Sequence, residues 1–336
     1  MHYLPTSLRS LCFRPAGTIA PRVPSSAAIE RLLGVPVQSV DRLQPWSVAR
    51  VRLADNTTVI VKWSRTADTE RAEPARLRAE RSALQFLADV EPPLTPKLLA
   101  SGEDLLVIED LGPRPSLREL ILAGDDRAVV DFARALGRLH AVTAGRAEEY
   151  YAGPGAWADP DADLKASLDG LRSGIDRLTD FGTTISSAAA HELADAITEI
   201  LHPGRFLALT NGDVGLNNYL VGTAGDGRLI DFETAGFRHV LAEMTDLYTP
   251  GPMWITLSEP TLVEAAYRAQ LATAIPEVTD DRTYGRAVAG GTFIWAARRL
   301  AKLPEIDARP AGDASRVHRV ATLEAAATTA EPCVSG

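Results

Sequence analysis

Cysteine is nearly absent from this sequence of 336 residues, which contains only Cys12 and Cys333, at opposite ends of the chain. Two cysteines so placed form neither the disulfide framework of a small secreted domain nor the close ligand pairs of a zinc site. The sequence therefore indicates a protein of a reducing compartment, and we expect it in the cytoplasm.

Long apolar runs are also missing. No stretch approaches the roughly 18 apolar residues that a membrane-spanning helix needs. The first 28 residues contain prolines at positions 5, 15, 21 and 24 and lack the apolar segment of a signal peptide. We therefore expect no membrane partner, and we interpret residues 1–24 as a loosely held tail.

Basic residues are outnumbered, with 35 Lys and Arg against 44 Asp and Glu, which leaves a net charge of -9. This balance argues against nucleic acid as a partner, because proteins that bind nucleic acid present a surplus of positive charge. Hydrophobic residues nevertheless make up 46% of the chain, so it can bury a sizeable core. We expect one large domain or two packed lobes.

The first third of the chain has the pattern of strands. Three β-rich runs and two shorter apolar runs lie at residues 37–43, 49–53, 57–63, 97–99 and 105–108. A helix is predicted at Glu73–Asp89 from the spacing of apolar residues. The segment Asp110–Pro113 breaks the pattern, which places a first lobe at residues 25–111 and a second lobe at 112–336.

The second lobe is predicted to be mostly helical. Helical spacing is present at residues 129–140, 186–201, 260–274, 283–300 and 313–327. A lone β-hairpin is set among these helices, with strands at Asn218–Val221 and Arg228–Phe232 and a turn containing Asp226 and Gly227. The predicted fold is therefore α+β, with a β-rich lobe, a short hinge and a helical lobe that contains one hairpin.

Lys62 is the first candidate for a chemical role, on the same face of a predicted strand as Ile60. A strand lysine by itself more often extends into water. Glu80, however, lies with Leu77 and Leu84 in the buried stripe of the following helix, where an unpaired carboxylate is costly. An ion pair between Lys62 and Glu80 would satisfy both groups.

The strongest chemical signal is the sequence NGDVGLNN at 211–218, followed by LIDFE at 229–233. Asp213 lies in a polar loop, Asn218 begins one hairpin strand and Asp231 ends the other. Each of these residues is by itself more often an ordinary turn residue. Together they bring three oxygen-bearing side chains to one end of a hairpin. Such ligands suit Mg²⁺, which completes its shell with phosphate oxygens and water.

On these motifs the chain resembles the aminoglycoside phosphotransferase family, small-molecule relatives of the protein kinases. The family's lysine strand, helix glutamate, His-Gly-Asp loop, later asparagine and metal-binding aspartate match Val59–Lys62, Glu80, Asn211–Asp213, Asn218 and Asp231. The resemblance extends from about Val37 to Asp246, and it implies a two-lobed protein-kinase-like fold.

The resemblance implies a kinase that transfers the γ-phosphoryl group of ATP to a hydroxyl of a small molecule. Lys62, held by Glu80, would contact the α- and β-phosphates. Asn218 and Asp231 would hold Mg²⁺, and Asp213 would orient and deprotonate the acceptor hydroxyl.

The resemblance also implies an adenine site and a phosphate-covering loop in the first lobe. Backbone groups of Ile108 and Asp110 would receive adenine in the hinge, and Ser47 would belong to the loop that covers the phosphates. His140, in a helical segment typical of the family, is interpreted as a packing histidine.

The sequence departs from the family pattern at two places. Asn211 stands where the family usually has histidine, and Gln44–Ser47 replaces a glycine-rich phosphate loop. The first departure supports an alternative, in which the protein is a catalytically silent kinase fold that binds nucleotide or a partner as a regulator.

The acceptor is left open by the sequence: an aminoglycoside or other antibiotic, or a metabolite such as an amino alcohol, a sugar or a nucleoside. Acidic residues cluster where the family often contacts acceptors, at Glu148, Glu149, Asp159, Asp161 and Asp163. They favour a cationic acceptor, although a solvated loop is the more frequent explanation of such a cluster.

Overall fold

The computed structural model describes residues 23–43, 47–64, 72–180, 182, 186–244, 260–304, 308, 310 and 323–328. Two compact units are present, one within residues 1–81 and 97–111 and the other within residues 82–96 and 112–336. The proposed tail up to residue 22, the loop residues 44–46 and most of the helix predicted at 313–327 lie outside the described residues. The lobe bounds drawn from the sequence stay a prediction, and residues 82–96 belong to the second unit.

The first unit is built on a five-stranded antiparallel sheet in the order β1-β2-β3-β5-β4. Its elements are α1 (Ser26–Leu33), β1 (Val37–Arg42), β2 (Val48–Leu53), β3 (Thr58–Trp63), β4 (Leu98–Ser101) and β5 (Leu105–Glu109). Helix α2 (Ala72–Phe86) begins in the first unit, and its residues from 82 onward belong to the second. The five strands and α2 confirm the sequence predictions to within a few residues. Helix α1 was not predicted, because it is short and buries only Ile29.

Alternation along β3 sets the direction of its side chains. Val59, Val61 and Trp63 are buried in a cluster with Ile29, whereas Lys62 is half-buried on the opposite face. One face of the sheet is thus covered by α1, and the other carries Lys62.

The second unit is mainly helical. Its helices are α3 (Leu117–Leu122), α4 (Val129–Thr143), α5 (Ala147–Ala152), α6 (Ala162–Asp180), α7 (Ser187–Leu201), α8 (Val240–Glu243), α9 (Pro260–Leu271) and α10 (Asp281–Leu300). Its strands are β6 (Leu207–Thr210), β7 (Tyr219–Leu220), β8 (Arg228–Leu229) and β9 (Gly236–His239). None of the helices within the described ranges is long and apolar enough to cross a membrane.

The predicted hairpin is present as the antiparallel pair β7 and β8. It is not the lone pair of strands that we expected, because β6 also pairs antiparallel with β9. The sequence of β9, GFRH, shows no clear alternation, and its pairing with a strand almost thirty residues earlier depends on the tertiary fold. This second pair of strands positions the loop that follows β6.

Helix α6 is a further element that the sequence did not predict. Glycines at 170 and 174 weaken its intrinsic helical signal. A methyl group on Gly174 would lie 2.2 Å from the carbonyl oxygen of Ala297, so α6 and α10 pack closely because this position has no side chain. Tertiary packing, rather than local propensity, explains this glycine.

His239 gives the second unit a predictable pH dependence. It is 1% exposed, its Nδ1 accepts a hydrogen bond from the Leu241 N–H at 3.3 Å, and its ring stacks on Phe206. Burial lowers the pKa of His239 to about 3 from an ordinary value of 6.5. Below pH 6.5 the unfolded chain therefore binds a proton that the folded chain does not, and stability is lost as the pH falls.

We expect the His239 contribution to the free energy of unfolding to fall by about 2 kcal/mol between pH 6.5 and pH 5. Denaturant titration of the natural protein and of His239→Asn at both pH values measures it, since asparagine keeps a capping group without the proton. The exposed His191→Asn is the matched control. Equal pH dependence in all three proteins would contradict a buried neutral histidine at position 239.

Candidate active site

The ion pair predicted in the first unit is present. Lys62 Nζ lies 2.6 and 2.7 Å from the two carboxylate oxygens of Glu80. The side chain of Glu80 is 3% exposed and that of Lys62 is 15% exposed. A buried carboxylate that accepts two such bonds orients the ammonium group, as the sequence predicted.

The segment after β5 has a second ion pair. The carboxylate of Asp110 accepts bonds from Arg50 Nε at 2.7 Å and Nη2 at 3.1 Å. Ile108 lies inside β5, between β3 and β4, and its register partners are Ile60 and Leu98. The backbone groups of Ile108 face neighbouring strands. The adenine role of Ile108 and Asp110 stays a prediction.

Ser47 is not brought together with Lys62. Its carbonyl oxygen accepts a hydrogen bond from the Trp63 N–H at 3.1 Å, and the next residue, Val48, is paired with Lys62. Strand alternation therefore places Ser47 on the face of the sheet opposite Lys62. Its hydroxyl is buried and has no hydrogen-bond partner among the described residues. The role of Ser47 at the phosphates stays a prediction.

In the second unit, the loop after β6 is shaped around Gly212. This residue has φ of 82°, and a methyl group on it would lie 2.2 Å from the carbonyl oxygen of Thr234. Its N–H donates to Glu243 Oε1 at 2.5 Å. The loop therefore requires glycine here, both for its conformation and for the close approach of Thr234.

Asn211 holds this loop with both ends of its amide. Its Nδ2 donates to the carbonyl oxygen of Ile230 at 3.1 Å, and its Oδ1 accepts from the Asp213 N–H at 3.2 Å. The residue is 2% exposed. Asparagine, which stands here in place of histidine, thus both donates and accepts a hydrogen bond at the base of the loop.

The backbone of Ile230 also brings Asn218 and Asp231 together. Its N–H donates to the Asn218 carbonyl oxygen at 2.9 Å, and Asp231 is the next residue. Asn218 Nδ2 donates to the Asp213 carbonyl oxygen at 2.8 Å. Asp213 and Asn218, five residues apart, thereby share one end of the hairpin with Asp231, thirteen residues further on, as predicted.

Asp213 has a perturbed carboxyl group although the residue is exposed. Partial desolvation, and then the negative charge of Asp231, raise the pKa of Asp213. The guanidinium of Arg299 lowers it and the carboxylate of Glu243 raises it. A hydrogen bond from Asn218 also lowers it. The net direction is upward, which suits a group that must accept a proton near neutral pH.

The residues present fit a magnesium ion. The negative charge of Asp231 raises the pKa of Asp213, and a divalent cation would offset this repulsion. Asp231 has φ of 64°, an uncommon backbone conformation that is held by the hairpin. Within the described residues no three His, Cys, Asp or Glu side chains form a metal cluster. Asp231 and the amide oxygen of Asn218 match an ion that takes few protein ligands.

A buried chain of polar groups supports the loop at Asn211–Asp213, and sequence reasoning missed it. Glu243 Oε2 lies 2.7 Å from His140 Nε2, and His140 Nδ1 lies 2.8 Å from the hydroxyl of Tyr267. Burial raises the pKa of Tyr267. His140 is thus more than a packing histidine, because it connects α4 and α9 to the carboxylate that holds Gly212. The only signal of this chain in the sequence is that positions 140 and 243 are polar although they lie among apolar residues.

The acidic stretch proposed to contact a cationic acceptor is partly neutralised by its own neighbours. Glu149 is paired with Arg146 at 2.7 Å, and Asp159 with Lys165 at 3.1 Å. Glu148 and Asp161 are exposed, and the side chain of Asp163 lies outside the described residues. The cationic acceptor stays a prediction, with a solvated surface as the simpler explanation of these pairs.

Solved structures with this fold are similar to this chain over most of their own length. An aminoglycoside phosphotransferase from Alicyclobacillus acidocaldarius subsp. acidocaldarius DSM 446 has a TM-score of 0.52 at 15% identity, covering 95% of this chain and 96% of that chain. An ethanolamine kinase from Plasmodium vivax has a TM-score of 0.54 at 13% identity, covering 87% and 82%. At such identities the likeness shows the fold.

The structure of a ternary complex of streptomycin, ATP and APH(2")-IIa has a TM-score of 0.50 at 12% identity, covering 82% of this chain and 88% of that chain. None of the curated proteins compared with the chain matches it. A family model described as the phosphotransferase enzyme family matches residues 44–281, more than two thirds of the chain. The α+β architecture agrees with this match. The chain therefore belongs to the phosphotransferase enzyme family and has a protein-kinase-like fold.

Proposed function

We propose that this phosphotransferase moves the γ-phosphoryl group of Mg²⁺-bound ATP onto a hydroxyl group of a small molecule. The acceptor is an antibiotic of the aminoglycoside type or a similar hydroxylated metabolite. The observation that carries the proposal is the convergence of Asp213, Asn218 and Asp231 at one end of the β7–β8 hairpin, around a loop held by Asn211. A solved relative in complex with ATP supports the choice of nucleotide.

Each residue has a separate task in this proposal. Lys62, fixed by Glu80, contacts phosphate oxygens and neutralises their charge. Asp231 and Asn218 are the protein ligands of Mg²⁺, which supplies further charge neutralisation when it is bound. Asp213 accepts a hydrogen bond from the acceptor hydroxyl and takes its proton as the hydroxyl oxygen bonds to the γ-phosphorus and the bond from this phosphorus to the bridging oxygen breaks, which releases ADP.

Positioning and charge stabilisation then supply most of the rate, since phosphoryl transfer needs little covalent assistance from the protein. The hydrogen bonds of Asn211 matter here, because they hold the Asp213 loop against the carbonyl oxygen of Ile230.

Replacing Asn211 with histidine distinguishes an active enzyme from a catalytically silent regulator. We expect the natural protein to be active and Asn211→His to change its rate by no more than about tenfold, because one altered loop bond is worth about 0.5–1.5 kcal/mol. ATP consumption against a panel of hydroxylated small molecules identifies an acceptor, and single-turnover transfer then compares the two proteins.

One outcome of that comparison supports the regulator hypothesis: the natural chain transfers phosphate to no acceptor of the panel, whereas Asn211→His does transfer it. Activity in both proteins supports the enzyme and makes Asn211 a tolerated replacement.

A further inference from the structure

Three polar side chains lie together at one end of the sheet in the first unit. Ser47 is 8% exposed and Trp63 is 6% exposed, and the Trp63 N–H donates to the Ser47 carbonyl oxygen at 3.1 Å. Arg42 is half-buried at the end of β1, and its Cζ lies 5.8 Å from the centre of the Trp63 ring. We call these three residues the Arg42 cluster. They come from the end of β1, the residue before β2 and the end of β3.

Strand alternation places the Arg42 cluster on the face of the sheet that α1 covers. Trp63 belongs to the apolar cluster of that face, and Val40, two residues before Arg42, packs against it. Ala49 is another member, and it is both the register partner of Arg42 and two residues after Ser47. The three polar side chains therefore point to the same side of neighbouring strands.

The polar atoms of the Arg42 cluster are buried without partners. Arg42 Nε and Nη2, Ser47 Oγ and Trp63 Nε1 are inaccessible to solvent, and none has a hydrogen-bond partner among the described residues. Such atoms are rare in folded proteins, because an unsatisfied buried donor is destabilising. Arg42 also forms no ion pair within the described part of the chain, so its charge adds a further cost.

The chemistry of these atoms defines the partner that they need. A guanidinium and an indole nitrogen can only donate hydrogen bonds, and a hydroxyl can donate as well as accept. Nε and Nη2 form the same edge of the guanidinium with which Arg50 binds the carboxylate of Asp110, at 2.7 and 3.1 Å. The partner must therefore offer several acceptor oxygens and a negative charge, as a carboxylate or a phosphate group does.

A cation–π contact is the ordinary explanation of an arginine beside a tryptophan ring. The 5.8 Å between Arg42 Cζ and the ring of Trp63 is close to the limit of about 6 Å for such a contact. The ring also offers no acceptor to its own indole N–H or to the hydroxyl of Ser47. A cation–π contact thus offsets part of the charge and does not satisfy the buried donors.

We propose that the Arg42 cluster is an anion-binding site, which takes a carboxylate or a phosphate group on the face of the sheet opposite Lys62. The oxygens of the anion accept hydrogen bonds from the edge of Arg42, from the indole N–H of Trp63 and from the hydroxyl of Ser47. A bound anion connects the ends of β1, β2 and β3 and so stabilises the first unit. The site is separate from the proposed nucleotide site, and it does not depend on phosphoryl transfer.

Calorimetric titration with inorganic phosphate and with acetate, at constant ionic strength, tests the site and distinguishes the two kinds of anion. We expect at least one of them to bind to the natural protein and Arg42→Met to weaken that binding about 10- to 100-fold, because charge-assisted hydrogen bonds are lost. Trp63→Phe keeps a ring and removes the indole N–H, so it should weaken binding about 3- to 10-fold. The matched control is Arg52→Met, which removes the same charge from an exposed position of β2 and should leave the affinity unchanged.

Thermal unfolding provides a second measurement that also reports whether each variant folds. Without added phosphate or acetate, Arg42→Met should melt at the same temperature as the natural protein or higher, because it removes a buried charge that has no ion pair. The anion that binds should raise the melting temperature of the natural protein and leave that of Arg42→Met unchanged.

Several outcomes overturn the inference. One is that neither anion binds, and another is that Arg42→Met binds as tightly as the natural protein. A third is that Lys62→Met abolishes binding while Arg42→Met retains it, which assigns the anion to the predicted phosphate site. A melting temperature of Arg42→Met far below that of the natural protein, without added anion, also contradicts the site, because Arg42 then has a stabilising partner within the chain.

Discussion

Replacing Asp213 with asparagine is expected to lower the rate of phosphoryl transfer by about 10²–10⁴-fold, the usual contribution of a positioned base. Asparagine keeps the size of the side chain but cannot take a proton from the acceptor. ATP binding should survive, because the substitution removes a negative charge that is crowded by Asp231. The loop should also survive, since its bonds to Asn211 and Asn218 use the backbone of residue 213.

Single-turnover rates and ATP affinity by calorimetry measure these two effects separately. The control is Asp125→Asn, which removes a half-buried carboxylate paired with the exposed Arg127. If Asp213→Asn loses ATP affinity and rate in equal measure, Asp213 is a metal ligand or a structural residue, and its role as a base is wrong.

The second large effect is expected at Asp231. Asp231→Asn should abolish the dependence of ATP affinity on Mg²⁺ and weaken ATP binding in the presence of Mg²⁺ by at least about tenfold, because a charged metal ligand is lost. Asparagine is the right replacement, since it tolerates the φ of 64° at this position. Alanine would add backbone strain to the loss of the ligand.

Calorimetric titration of ATP with Mg²⁺ and with a chelator compares the natural protein, Asp231→Asn and the Asp125→Asn control. The metal assignment is wrong if the natural protein binds ATP equally well in both conditions. It is also wrong if Asp231→Asn retains the full effect of Mg²⁺.

The pairing of Lys62 with Glu80 was predictable from the sequence because strand alternation around Lys62 and helical periodicity around Glu80 are both local patterns. A strand alternates with a period of two and a helix with a period near 3.6, so each pattern indicates which face a side chain occupies. A lysine and a glutamate on facing apolar surfaces then have few alternatives to each other. The hairpin that carries Asn218 and Asp231 was predictable for a similar reason, since a short turn determines which strands pair.

The support of the catalytic loop was not predictable. Glu243 holds Gly212 across about thirty residues, and His140 reaches Glu243 from a helix a hundred residues earlier. No periodicity relates such positions, because their contact depends on how α4, α8 and α9 pack.

The sequence by itself determined the α+β class, the strand order of local hairpins and the set of residues suited to phosphoryl transfer. These properties follow from short-range patterns and from side-chain chemistry. Only the tertiary structure decided the pairing of β6 with β9, the close packing of α6 on α10 at Gly174, and the hydrogen bonds that connect Gly212, Glu243 and His140. Each of these depends on contacts between residues far apart in the chain, where burial and backbone pairing outweigh local preference.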